Sequence, residues 1–504
     1  MILKIYSGAP GSGKTLSVLN DVAETPGRYV IAVPRKELAE EFASYLRERL
    51  EAMTRSAIVK TIHSGQPGYR EGVVRRIKDA LREQGACIHC VVLITHEGFL
   101  GVDPVLFEGW HVRIDEVPDG AVVSDAVNAK TSYVTLEKHF ALEPLGHGLG
   151  WSRVVPLPGI EPATRSAYSG DAAEKLAQLF KLASNPHRLV LIDLAEWRDA
   201  GLRQQVRYWS VWTPIDVTAC ASMTITGASF FNSLIFHACQ KFHGDEIKFE
   251  RIAPPANRRA NPFVTIRYFT RHRGTTEWWN GDEGSLCLVR ISQYLERTGF
   301  SGFWSCNASE RKVFLHRFSD ATACSPKQAG TNSLRHHTSC MFVYSNKAQV
   351  ADSAILEVLD LSRDYIEVAR EEEDVIQFVM RGAIRDPSFD GSYEVYLYSE
   401  DQAEVLASYL VREGITAEDR VEVLPVVEAR ILDVARPETK SRYVTMTPPE
   451  AEVSVCERKK RRQAKDRERS QRRRDAIKAS RKADGSYCGR GRPKKTEIAR
   501  HPTS

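Results

Sequence analysis

No apolar run in this 504-residue chain approaches the ~20 residues of a membrane span, which argues against an integral membrane protein. Cysteine is sparse, ten in all, and forms one close pair, Cys87-Ile88-His89-Cys90. No second C-x-x-C and no H-x-x-x-H follows at zinc-site spacing, and the pair abuts the apolar run Val91-Val92-Leu93-Ile94. These cysteines therefore read as reduced core thiols rather than as a metal site or a disulfide framework. Internal repeats are absent. A secretory leader or transit peptide is not expected, because cleaving one would remove the glycine-rich loop near the N-terminus. A cytoplasmic protein is the expectation, host cytoplasm if the chain is viral.

What is present is ordinary globular composition, 42% hydrophobic, with charge distributed unevenly. Glu457 to Arg500 carries 19 Lys/Arg against 6 Asp/Glu, leaving 51 against 59 in the remainder. An acidic body with a basic tail points to a nucleic-acid-binding appendage. Apolar periodicity vanishes in that tail, so it is expected to be disordered, or a solvated helix, until nucleic acid binds.

The strongest local signal is Gly8-Ala9-Pro10-Gly11-Ser12-Gly13-Lys14-Thr15, a complete G-x-x-x-x-G-K-T loop. It follows a strand-like run, Ile2 to Tyr6, and opens a helix-like stretch, Leu16 to Val22. Glycines there let successive N–H groups face phosphates, and the helix start adds its positive dipole end. Lys14 is placed to reach the β/γ-phosphates, and the Thr15 hydroxyl to ligate Mg2+. ATP and Mg2+ are the expected ligands.

Strand and helix patterns alternate onward: Arg28 to Val33, Lys36 to Met53, Ala57 to Ile62, Tyr69 to Glu83, Ile88 to Thr95 and Trp110 to Ile114. This rhythm predicts an α/β fold with a parallel sheet covered on both faces. Asp115-Glu116 closes the last strand, where the first carboxylate holds magnesium and the second deprotonates a water. From Val117 to about Pro214 the pattern loosens into an expected insertion. Strand-like runs return at Thr218 to Thr226, Phe263 to Phe269, Ser285 to Val289 (then a helix to Glu296), Gly302 to Ser305, Cys340 to Tyr344 and Tyr393 to Tyr398. These suggest a second α/β unit. In it, Gln377, Arg381 and Arg385 recur every four residues, the spacing of one helix face, and suit γ-phosphate sensing and arginine fingers.

With these motifs in hand, the chain resembles the superfamily 2 helicases and translocases, the DEAD/DEAH-like family with two RecA-like lobes. Gly8 to Thr15 matches motif I, and Asp115-Glu116-Val117-Pro118 matches the DExx box. Ala32 to Leu38 looks like motif Ia, which puts Arg35 and Lys36 against a nucleic-acid backbone. Ile94 to Gly98 is similar to the segment before motif II. Thr224-Ile225-Thr226-Gly227-Ala228 stands at motif III, Ala329 to Asn332 at motif V, and Gln377 to Arg385 at motif VI. Met380 replaces that motif's glycine, and Arg385 lies one residue late, which leaves the main finger open between Arg381 and Arg385. No adenine-reading segment precedes the loop, and the gap between motifs II and III is unusually long. A compact, divergent chain of this kind resembles bacteriophage or mobile-element members.

The resemblance implies two RecA-like P-loop lobes with mainly parallel sheets, residues 1–256 (insertion at about 117–214) and 257–415. A linker or small extension at 416–456 and the basic tail at 457–504 follow. It implies an ATP hydrolase that moves on or unwinds DNA, single-stranded or duplex, with RNA as the second choice of partner. In the tail, Gly489-Arg490-Gly491-Arg492-Pro493-Lys494-Lys495 resembles an AT-hook, whose arginines enter narrow minor grooves. An unspecific basic tail fits the same residues. A viral DNA-packaging ATPase and a non-motor P-loop switch are the rival functions.

Overall fold

The protein is described from a computed structural model that covers residues 2–65, 72–128, 136–145, 150–160, 171–199, 205–217, 219–253, 259–272, 276–279, 281–308, 310–326, 333–345, 353–362, 365 and 368–434. The expected α/β architecture with two parallel sheets is what these residues form. Five strands open the chain: β1 (Ile2–Tyr6), β2 (Arg28–Val33), β3 (Ile58–Ile62), β4 (Cys90–Thr95) and β5 (His111–Asp115). Five more lie in the insertion: β6 (Val122–Asn128), β7 (Phe140–Pro144), β8 (Trp151–Pro156), β9 (Arg188–Asp193) and β10 (Gln205–Trp212). β11 (Ser222–Thr226) and β12 (Lys248–Ile252) return to the first sheet. The second parallel sheet holds β13 (Phe263–Thr270), β14 (Phe303–Cys306), β15 (Ser339–Val343), β16 (Ser392–Ser399) and β17 (Val421–Pro425).

The first sheet runs β12-β1-β11-β5-β2-β4-β3, every pair parallel. Alternation sorts its side chains. Tyr29, Ile31 and Val33 face helices Lys14–Glu24 and Lys36–Ala52, while Val30 and Ala32 join Leu3, Ile5 and Val112 on the other face. Helix Lys36–Ala52 buries Leu38, Ala39, Ala43, Leu46 and Leu50, the three-and-four spacing of one apolar stripe. The order places the carboxyl ends of β1, β11 and β5 side by side, so the phosphate loop, Gly227 and Asp115 meet at one edge.

The second sheet runs β14-β15-β16-β13-β17, also parallel throughout. β17 extends it into the 416–456 stretch read above as a linker or small extension. Ser285 to Val289 is not a strand. It lies inside one helix, Asp282–Arg297, because Gly284, Cys287, Leu288, Ile291 and Leu295 bury at helical spacing, which a short apolar run conceals.

The insertion is an antiparallel sheet, β6-β10-β9-β8-β7. One face packs Val154, Val190 and Tyr208 on Leu176, Leu179 and Phe180 of helix Asp171–Ala183. The other brings Trp151, Trp209 and Val211 against Ala238 of the first lobe and Ile355, Val358 and Leu359 of the second. The insertion thus touches both lobes. Among the described residues no helix is long and apolar enough to cross a membrane.

Candidate nucleotide site

β1 ends at Tyr6, and the loop turns through Gly11 and Gly13 at φ of 80° and 84°, left-handed angles that glycine adopts at no steric cost. The following helix, Lys14–Glu24, has no acidic residue of its own in its first turn. Lys14 curls back onto the loop, its Nζ donating to the carbonyls of Gly8 (2.6 Å) and Ala9 (2.7 Å). Burial lowers its pKa to about 8, against the opposing pull of Asp115, Glu116 and Glu373. Ala9 is buried among second-lobe side chains. A Cβ on Gly11 would lie 2.8 Å from the Cγ and the carbonyl oxygen of Arg385. Only glycine lets the second lobe come this close.

At the end of β5, Asp115 Oδ1 accepts hydrogen bonds from Thr15 Oγ1 (2.6 Å) and Thr226 Oγ1 (2.7 Å). Burial pushes its carboxyl upward, while the two hydroxyls and the charges of Lys14 and Arg385 pull it down. His96 Nε2 lies 2.9 Å from the Asp115 carbonyl oxygen, which can only accept, so this nitrogen carries the proton. Burial drops the imidazole to about 4, and His96 stays neutral. Glu116 takes φ of 64°, a left-handed angle rare for a side chain, and its N–H donates to Thr226 O at 2.7 Å.

The second lobe supplies Gln377, Arg381 and Arg385, although not from one helix face as the spacing suggested. The helix Glu373–Val379 stops, the chain turns through Met380 to Gly382, and Arg385 closes a short 3-10 turn, Ala383–Arg385. Gly382 makes the turn possible: a Cβ there would meet the hydroxyl of Tyr393 and lie 2.8 Å from its ring carbons. Arg381 is only 4% exposed, and burial lowers its pKa to about 10, with Glu116 the leading opposing charge. Burial also lowers Arg385, whose carboxylate neighbours are Glu116 and Asp115. Glu116, Gln377, Arg381 and His96 line one cleft of about 280 Å³ between the lobes.

Glu373 escaped the sequence reading. It lies four residues before Gln377, whose Nε2 donates to it at 2.8 Å, and it also accepts from Ser229 Oγ of the first lobe. Burial raises its carboxyl to about 7 despite the hydrogen bond from Gln377 and the charge of Lys14. Thr226 and His96 were missed as individuals too, since their roles depend on strands far apart in sequence.

The pocket chemistry suits a nucleoside triphosphate with magnesium. Ser12 Oγ and Arg381 Nε are buried with no hydrogen-bond partner among the described residues, as expected of donors that await anionic oxygens. Thr15 and Asp115 offer a hydroxyl and a carboxylate at one point, the hard-oxygen set that magnesium takes beside phosphates.

Of the expected nucleic-acid residues, Arg35 caps helix Lys36–Ala52 with its charge felt at Arg381, so it sits toward the lobe interface. Lys36 is exposed and pairs with Glu37 at 3.8 Å. The motif V candidate Ala329 to Asn332 and the tail residues Arg490, Arg492, Lys494 and Lys495 lie outside the described residues. Cys90 is a buried core thiol raised to about 11 by burial, and Cys87 is half-buried beside Gln84.

With this geometry set out, solved structures of similar fold can be placed beside it. Several are helicases. A structure named XPD helicase is 10% identical, with 84% of this chain and 96% of that one covered at a TM-score of 0.49. A variant of S. cerevisiae Dbp5, bound to RNA and ADP BeF3, is 9% identical over 85% and 86%, at 0.33. RecG bound to a three-way DNA junction is 12% identical over 81% and 41%, at 0.30. No family model and no curated protein matches the chain.

Proposed function

We propose that the protein is an ATP-dependent DNA helicase or translocase that hydrolyses ATP between its two parallel-sheet lobes. One observation carries the reading: Arg381 and Arg385 of the second lobe both come within electrostatic reach of Glu116 at the end of β5 of the first, and Arg385 also reaches Asp115. A nucleotide switch built on a single lobe needs no such cations. A motor does, because charge from the moving lobe makes hydrolysis depend on closure.

In this mechanism the loop N–H groups and Lys14 bind the phosphates, Lys14 exchanging its bonds to Gly8 and Ala9 for them. Thr15 and Asp115 would hold magnesium, which would neutralise charge on the phosphates. Glu116, held in its strained angle, takes the proton of the attacking water. Arg381 and Arg385 place positive charge where transition-state charge grows, and Gln377 lies in the same cleft. Thr226 and Ser229 tie the end of β11 to Asp115 and to Glu373, so changes at the phosphates pass to both lobes.

DNA as the track rests on the helicase resemblance and the basic tail, as does the placement of Arg35, Lys36, Arg490, Arg492, Lys494 and Lys495 on nucleic acid. The cytoplasmic setting belongs to the same reading, as do the 1–256 and 257–415 lobe boundaries. A phage or mobile-element origin rests on the compact, divergent motifs alone. ATP hydrolysis measured in parallel with single-stranded DNA, duplex DNA, forked DNA and RNA tests the proposal. Stimulation by DNA supports it, and a rate indifferent to every nucleic acid overturns it.

A further inference from the structure

Arg259 is absent from every motif, and it stands just before β13, at the start of the second lobe. Its place is fixed by two hydrogen bonds. Its Nη1 donates to the carbonyl of Ile384 at 3.2 Å, and the adjoining Ala260 N–H donates to Pro387 O at 2.7 Å. Arg259 is therefore docked on the turn that carries Arg385. Its other terminal nitrogen, Nη2, points across the lobe boundary and lies 3.6 Å from where a Cβ on Gly11 would be. That nitrogen is buried and has no hydrogen-bond partner among the described residues.

The charges around it make this arrangement costly without an anion. Arg385 packs on the same glycine, and Arg335 adds further positive charge near Arg385. Two acids act on Arg259: the phenol of Tyr409, which burial keeps neutral, and Asp386, whose carboxylate is solvated and therefore a weak counter-charge. Burial is the leading influence on the Arg259 guanidinium and works against its charged form. A half-buried guanidinium with an unused donor, set over a phosphate loop and crowded by cations, fits an anionic oxygen.

We infer that Arg259 is a nucleotide-binding residue that contacts a phosphate of the bound nucleotide through Nη2, bridging the second lobe to the loop at Gly11. The inference rests on the ATP reading above and deepens it. Arg259 differs in kind from Arg381 and Arg385. Those two feel the charge of Glu116, where the chemistry occurs, whereas Arg259 meets the first lobe at the loop. Arg259 thus strengthens ground-state binding of di- and triphosphate alike, and removing a charge-assisted hydrogen bond of this sort weakens affinity about tenfold or more.

The test is equilibrium titration of fluorescent ADP and of a non-hydrolysable ATP analogue into the full chain and into Arg259→Ala, Arg259→Gln and Arg259→Lys. The expected result is a Kd raised about tenfold or more for both nucleotides in Arg259→Ala and Arg259→Gln, with partial rescue by Arg259→Lys. Arg259→Gln keeps a donor for the Ile384 carbonyl without the charge, so it decides the matter if Arg259→Ala fails to fold. Wild-type affinity in Arg259→Gln overturns the inference while leaving the ATP reading intact. A wild-type chain that binds neither nucleotide overturns both.

Discussion

Replacing Glu116 by glycine and by alanine isolates the strain stored at the end of β5. At φ of 64° the left-handed angle costs a side chain about 1–2 kcal/mol, whereas glycine adopts it freely. At ordinary helix or strand positions the order is reversed, and alanine is favoured by roughly 0.5–1 kcal/mol because glycine has more freedom to lose. Both variants lack the carboxylate, so its electrostatics cancel in the comparison. Setting one effect against the other leaves Glu116→Gly more stable than Glu116→Ala by about 1 kcal/mol, a reversal of sign. The angle is held from outside the residue, since the Glu116 N–H is tied to Thr226 O at 2.7 Å and Asp115 is pinned by two hydroxyls. Urea unfolding of the nucleotide-free chain, followed by tryptophan fluorescence, measures the difference. Both variants should also lose about 10²–10⁴ in hydrolysis rate, the usual worth of a positioned base. Equal stabilities, or alanine the more stable, would refute the claim that the backbone is strained to aim this carboxylate.

Three further outcomes are expected. Glu373 holds its proton to about pH 7 in the folded chain against 4.5 ordinarily, so the native state binds more protons between those values. Its contribution is full below pH 4.5 and lost as pH rises through 7, so Glu373→Gln should flatten the fall in melting temperature over that window; an unchanged slope refutes the assignment. Gly382→Ala should cost about 1–3 kcal/mol, since its methyl group enters the space of buried Tyr393, and should slow hydrolysis by moving Arg381 and Arg385. Wild-type stability in that variant, read by the same urea titration, contradicts the packing argument. Ending the chain before Glu457 should leave basal hydrolysis unchanged and flatten the salt dependence of DNA binding, by about 0.9 in log–log slope for each phosphate the tail had neutralised. An unchanged slope removes the tail from the interface.

Much of the first lobe was legible because its signals are local. The loop glycines, the apolar runs of β2 and β4 and the stripe of helix Lys36–Ala52 each announce their structure within a few residues. β12 was not legible, for Lys-Phe-Glu-Arg-Ile is an edge strand with little burial and carries charges that disguise it. Helix Asp282–Arg297 was misread because Ser-Leu-Cys-Leu-Val is equally a buried strand until tertiary packing selects the helical period. Gln377 and Arg381 reach the cleft, and Arg385 reaches the phosphate loop, for a different reason than their spacing gave. A helix face would have carried them, but the tight approach of Gly382 to Tyr393 bends the chain there instead. Glu373 and Arg259 left no local trace. Their importance comes from Ser229 and Gly11, residues more than a hundred positions away that only the tertiary fold brings near.

In the proposed mechanism the two lobes share one hydrolytic site. Its most direct test is the DNA-stimulated hydrolysis rate of Arg381→Ala and Arg385→Ala at saturating ATP, with nucleotide affinity measured on the same samples. A shared site predicts a rate lowered by about 10³ or more with affinity changed only a few-fold, as when a finger is withdrawn from transition-state charge. Wild-type rates in both variants would contradict it and leave the second lobe's arginines as structural neighbours of the loop.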